Sequence, residues 1–197
     1  MVIRQYEAAD ESQWLRCRLL SFYDTSYCED VLHKKPRYDH DVIDLVAEEE
    51  GMIVGFIEVE CEERIGDACY LKGDLGGNIW NIGVLPEYRC KKIASKLLRE
   101  AAHLAKKRGI KRFEAWTQED EAANRWYKRK GFELKMAYLN VHASSQECYD
   151  NKLLSPEIGE IYGIRDLNFE VPISRKEEII SKYKKYNEVR LYEWVFD

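Results

Sequence analysis

The 197-residue sequence predicts an α/β fold of the α+β type: one domain on a mixed, strongly twisted sheet of about six to seven strands, with helices on both faces. Three observations carry this. Residues 78–141 alternate strand, helix, strand, helix, strand, as crossover helices laid on a sheet do. Within them Ile93, Leu97, Ala101 and Leu104 recur at the 3.6-residue period, with Ala94, Leu98 and Ala105 beside them. Finally, 45% of the residues are hydrophobic and 12% aromatic, enough for one core in a chain of this length.

Taken in order, residues 2–6 read as a short strand. The segment 10–22 reads as a helix in which Trp14, Leu15, Leu19 and Phe22 share a face. Val42–Glu48 and Met52–Cys61 form a strand pair around the turn Glu49-Glu50-Gly51. In the second strand Ile53, Gly55, Ile57 and Val59 alternate with Val54, Phe56, Glu58 and Glu60, giving an apolar face and one that ends in carboxylates. The next strand, Asn78–Val84, ends before Pro86, which cannot extend a ladder. A helix starts near Lys91 and stops at Gly109, with Lys106, Lys107 and Arg108 in its last turn. A strand at Ile110–Trp116, a short helix at about 119–130 and a strand at Phe132–Val141 complete a core over 1–141. In the extension 142–197, residues 143–172 read as loop-like, placed to form a lid or wall over a binding site. Ser174-Arg175-Lys176-Glu177 reads as a capping box opening a helix, and Val189–Phe196 as a strand rejoining the sheet. Completing the sheet, shaping a ligand pocket and swapping a strand in a homodimer are all compatible with this extension.

The formal net charge of −5 argues against a nucleic-acid or membrane partner, either of which favours a basic patch. No apolar run approaches the roughly 18 residues of a membrane span, and the start of the chain has no basic-then-apolar leader, so a cytoplasmic protein is expected. The six cysteines are scattered without C-x-x-C, so free thiols are expected. The four histidines lack zinc-site spacing, and no metal is expected.

The informative stretch is Asn81-Ile82-Gly83-Val84-Leu85-Pro86-Glu87-Tyr88-Arg89-Cys90-Lys91-Lys92-Ile93-Ala94. A strand running through a tight turn into a helix offers backbone N–H groups and the positive end of a helix dipole, with Arg89, Lys91 and Lys92 adding charge. An anionic phosphate suits such a turn. These residues resemble the GNAT superfamily of acyl-CoA-dependent N-acyltransferases, whose strand ends in V-x-P-x-x-R and continues as R/Q-x-x-G-x-G/A. Val84, Pro86, Glu87, Tyr88, Arg89 and Ala94 match. A second stretch, Ala123-x-x-Trp126-Tyr127-x-x-x-Gly131-Phe132, is similar to the family's A-x-x-F-Y-x-x-x-G-F. The resemblance covers roughly 2–141. It departs at Lys92 and Cys90, where the family favours glycine; the expectation is that Lys92 occupies an early helical position of negative φ, which lysine tolerates.

The resemblance implies acetyl-CoA as co-substrate, no metal, and direct transfer of the acetyl group to a primary amine of a small molecule or peptide. It also implies that the strands at 78–84 and 110–116 splay to admit the cofactor. By the same resemblance the backbone at Ile82, Gly83 and Val84 holds the pantetheine arm, and the N–H groups of Arg89, Cys90, Lys91, Lys92, Ile93 and Ala94 hold the pyrophosphate. Tyr127 lies near the thioester sulfur, and with an ordinary pKa near 10 it is a reasonable general acid. The motif supplies no general base. Glu58, Glu60 and Glu114 are candidates, as is Asn81 through a positioned water, although a solvated strand face accounts for the carboxylates equally well. A non-catalytic acyl-CoA-binding or regulatory domain is the alternative reading, and a domain for another phosphate ligand a third.

Overall fold

The strand pair at the centre sets the architecture. Strand β2 (Val42–Glu49) turns into β3 (Met52–Cys61) through Glu50 and Gly51, whose φ angles of 52° and 78° are those of a two-residue turn matched to strand twist. On β3 the predicted alternation holds. Phe56 points to the helix α1 (Glu11–Phe22), where its ring meets Trp14 at 5.3 Å. Gly55 points the other way, to α2 (Ile93–Lys107), where an added Cβ would lie 3.2 Å from Ile93. One helix therefore covers each face. The buried stripe of α2, Ile93, Leu97, Leu98, Ala101, Ala102 and Ala105, is the predicted one.

The computed structural model describes residues 1–153 and 166–196. Among them the remaining elements are β1 (Val2–Gln5), β4 (Gly76–Val84), β5 (Arg112–Thr117), α3 (Glu121–Arg129), β6 (Glu133–Ser144), α4 (Ser145–Asp150), β7 (Asp166–Pro172), α5 (Lys176–Lys182) and β8 (Lys185–Val195). The strands form one mixed sheet of order β1-β2-β3-β4-β5-β8-β6-β7, in which only β4 and β5 pair in parallel.

Eight strands exceed the six to seven expected. The addition is β7, inside the segment read as a loop, where Leu167, Phe169 and Val171 alternate with polar residues at the strand period. The same segment holds α4, and residues 154–165 of the expected wall lie outside the described residues. Helix α5 lacks the expected capping box: a 3₁₀ turn at Ile173–Arg175 leads into it, and Arg175 caps without a side-chain bond. The capping box forms instead at Ser144 and Glu147, opening α4. Strand β8 inserts between β5 and β6 and so is an interior strand of the sheet.

Buried charge fixes the loop between β3 and β4. Glu114 accepts hydrogen bonds from the Tyr70 and Leu71 N–H groups, both at 2.9 Å, and from Arg112. Glu62 accepts from Gly76 N at 2.8 Å. The Arg112 guanidinium touches Glu114, Glu62 and Glu193 while donating to the carbonyls of Leu71 and Asp74. Removing one side of such a cluster strands the other in a low-dielectric site. Arg112→Met is expected to destabilise the chain by about 3–5 kcal/mol in urea unfolding; a loss below about 1 kcal/mol would show that the cluster does not hold this loop.

Candidate active site

The parallel pairing of β4 with β5 runs from Gly76↔Arg112 to Ile79↔Ala115 and stops there. On its other side β4 stays paired with β3 through Val84, but the register shifts between Glu58↔Asn81 and Val59↔Ile79, leaving Trp80 as the extra residue of a bulge. A bulge bends its strand and increases local twist, so β4 leaves β5 at this point. From Trp80 to Val84 the edge of β4 facing β5 has no strand partner, and its backbone N–H and C=O groups face the gap.

A cavity of about 500 Å³ fills the gap. Ile82, Gly83 and Val84 wall it on β4, Ala94 on α2, and Ala123 and Tyr127 on α3. Gly83 is required sterically, since a Cβ there would come within 2.7 Å of Phe56. Past Val84, the Pro86–Tyr88 turn leads to Arg89 and then to α2. The first bond of α2 is Lys96 N–H to Lys92 O, so the N–H groups before it point out of the helix end, where the dipole favours an anion.

The turn differs from the sequence expectation at two points. Lys92 is the N-cap of α2 with φ 63° and ψ 16°, and Cys90 has φ 62°; both are left-handed rather than early helical. This explains why glycine is favoured at these positions: a Cβ there costs about 1–2 kcal/mol. Arg89 is also committed. Its guanidinium pairs with both Asp24 oxygens at 2.6 and 2.8 Å and with Ser21 O at 2.9 Å, and its N–H donates to Pro86 O at 3.2 Å. It therefore clamps the turn to the end of α1. The Lys91 ammonium lies 4.5 Å from the centre of the Tyr88 ring.

Helix α3 is set by its first turn. Asp120 caps it by accepting from Ala123 N–H at 2.9 Å, and Asn124 bonds Thr117 at the end of β5 and the carbonyls of Gln118 and Asp120. One turn on, Tyr127 is 6% exposed and stacked on Tyr192, with Trp126 and Phe132 edge-on. Burial, with Tyr27 nearby, raises its pKa above the ordinary tyrosine value. Tyr27, on the same wall, is pushed up to about 12 by burial and accepts a hydrogen bond from Gln118 N–H.

Of the four proposed base candidates, the structure brings only Asn81 to the cavity wall. Glu58 is fully buried behind it, bonded to Lys35, to Tyr38 Oη at 3.1 Å and to Asn81 Nδ2 at 2.8 Å. Glu60 accepts from Trp80 Nε1 at 2.7 Å, from His40 Nδ1 at 3.0 Å and from the N–H groups of Asp39 and His40. Burial opposes its charge, but these bonds outweigh it and hold its pKa below the usual carboxylate range. Glu114 belongs to the Arg112 cluster. The reading of a solvated strand face is therefore corrected: the three carboxylates are buried and bonded. Residues the sequence reading missed are Arg18, whose guanidinium bonds Asp30 and lies 3.4 Å from Asn81 Oδ1, and Tyr27. Their partners are brought together by the fold and left no local signal.

Among the described residues, no group of three or more His, Cys, Asp or Glu side chains is placed to hold a metal, and no helix is long and apolar enough to cross a membrane. Residues 42–134 match the family described as "Acetyltransferase (GNAT) domain". No curated protein matches the chain in sequence. Among solved structures it is similar to a ribosomal-protein-alanine N-acetyltransferase from Brucella melitensis, with TM-score 0.60, 15% identity and all of both chains covered. It is similar also to the PaiA N-acetyltransferase from Thermoplasma acidophilum in complex with coenzyme A, with TM-score 0.53 and 19% identity over 68% of this chain and 90% of that one. Arabidopsis thaliana NAA60 in complex with a bisubstrate analogue gives TM-score 0.55 and 15% identity over 98% and 97%. At these identities the likeness to solved structures is one of fold.

The left-handed turn yields a test. Cys90→Gly and Lys92→Gly are each expected to stabilise the chain by about 0.5–1 kcal/mol, strain relief exceeding the entropy that glycine adds to the unfolded state. Urea midpoints check this, and destabilisation by either change would show that the side chain's own contacts outweigh the strain.

Proposed function

We propose that this chain, whose residues 42–134 match a GNAT acetyltransferase domain, is an acyltransferase that moves an acetyl group from acetyl-CoA directly to a primary amine of a small-molecule or peptide acceptor. The observation that carries this reading is the cavity in the β4–β5 gap, which has an open strand edge on one side, a buried tyrosine hydroxyl on another and a helix start at one end. An extended amide-bearing arm can pair with the free edge at Ile82, Gly83 and Val84 as a third strand would. The N–H groups of Cys90, Lys91, Lys92, Ile93 and Ala94 suit a pyrophosphate, with Arg89 holding the turn in shape through Asp24.

In the reaction the neutral amine attacks the thioester carbonyl carbon. A C–N bond forms, the C–S bond breaks, and the sulfur leaves with the electron pair. Tyr127 donates a proton to that sulfur, and the proton shed by the amine passes to a water held at Asn81 and out to solvent, from which Tyr127 is reprotonated. Glu58 orients the Asn81 amide through its 2.8 Å bond, and Glu60 fixes Trp80; both act as positioning residues. The six free thiols suit a cytoplasmic protein. A homodimer is compatible with this reading and is not required by it.

Tyr127→Phe keeps the ring stack on Tyr192 and removes only the hydroxyl. It is expected to lower kcat by about 10²–10⁴ while leaving acetyl-CoA affinity unchanged. An unchanged kcat would remove Tyr127 as the acid. Because its pKa is raised, the sign for pH is definite: the acid form persists beyond the ordinary tyrosine value, so kcat/KM should show no alkaline fall below about pH 10. A pH profile that falls below about pH 9 would contradict the assignment.

A further inference from the structure

A second cavity, of about 410 Å³, opens beside the first and shares Ile79, Trp80 and Trp116 with it. Its walls are aromatic. Trp80 is half-exposed and held by its indole N–H on Glu60 and by stacking on Tyr38 at 5.9 Å. Trp116 is held edge-to-face between Tyr70 at 5.7 Å and Tyr138 at 5.9 Å. Tyr70 completes the rim, its own N–H bonded to Glu114.

Beneath these rings carboxylates outnumber the cations. Register places Glu60 opposite Asn78, Asn78 opposite Glu114, and Glu114 opposite Glu193, a row across four strands on one face of the sheet. With Glu62 and, on the rim, Asp67, five carboxylates stand against four full positive charges, Arg112, Lys135, Arg64 and Lys72, the last beside the rim residue Gly66, and the imidazole of His40. Asn78, which lines the cavity, is 4% exposed, and its Oδ1 has no hydrogen-bond partner among the described residues. Fixed indole and phenol faces over a net negative floor with an unmet acceptor are the arrangement that attracts an organic cation.

We propose that this pocket, walled by Tyr70, Trp80 and Trp116 over Asn78, binds a second amine of the acceptor in its protonated form, which makes the preferred acceptor an alkyl diamine or a longer polyamine-type cation. The inference rests on the acetyl-transfer reading for the fate of the first amine, which must be neutral to attack. The second stays charged and anchors the chain between them, so the site selects molecules carrying two amines.

The test compares 1,5-diaminopentane with n-pentylamine, which differ by one amine. By calorimetry on the intact chain, the diamine is expected to bind about tenfold more tightly. With acetyl-CoA present, its kcat/KM should exceed that of the monoamine by a similar factor. Tyr70→Ala, at a side chain 60% exposed and therefore safe for folding, and Asn78→Leu should each bring the ratio of affinities towards one while the monoamine affinity holds. Equal affinity for the two amines in the unaltered chain overturns the proposal, as does a preference for the diamine that survives both substitutions. Failure of the acetyl-transfer reading is separately visible: it would appear as no acetylation of either amine, whereas equal acetylation of both with equal affinities would overturn the diamine pocket alone.

Discussion

Everything at the proposed site depends on where the hydrogen bonds between β4 and β5 end. Two parallel strands that remained paired to their tips would fill the centre of the sheet with their own backbone, leaving no room for a ligand. The bulge at Trp80 bends β4 while β3 holds its other edge, and the capping network of Thr117, Asn124 and Asp120 ties the end of β5 to α3. The strands are thus held apart by contacts on their outer sides. The open edge of β4, the start of α2 and Tyr127 of α3 then line one cavity.

Polar burial on the α1 face keeps that geometry rigid. Glu58 binds Lys35, whose ammonium also pairs with Asp44 at 3.0 Å and lies over the Trp14 and Tyr6 rings. This pins the segment between α1 and β2 to the sheet. Glu60 and Glu114 do the same for the segments around His40 and Tyr70. Carboxylates bonded this fully are positioning groups for the aromatic and amide side chains that reach the cavities, and they lend those cavities a negative field.

Much of this was legible in the chain, for reasons that are local. Helix α2 could be read from its 3.6-residue stripe, β3 from its alternation and the turn after Val84 from Pro86, because each depends on near neighbours. Strand β7 was equally local in the alternation of Leu167, Phe169 and Val171, but its setting in a polar region concealed it. What could not be read were pairings across long sequence distance. Arg89 meets Asp24, Glu58 meets Lys35 and Glu114 meets Tyr70 only after the sheet has assembled. The left-handed conformation of Lys92 was missed for another reason: lysine does not mark such a position as glycine does.

The central claim is that the β4–β5 gap holds acetyl-CoA despite the two side chains in its turn. Calorimetric titration of the intact chain with acetyl-CoA, and separately with ATP, tests it most directly. Micromolar binding of acetyl-CoA with no binding of ATP is the predicted result; absence of acetyl-CoA binding would contradict the account, and the assignment of the cavity would fall with it.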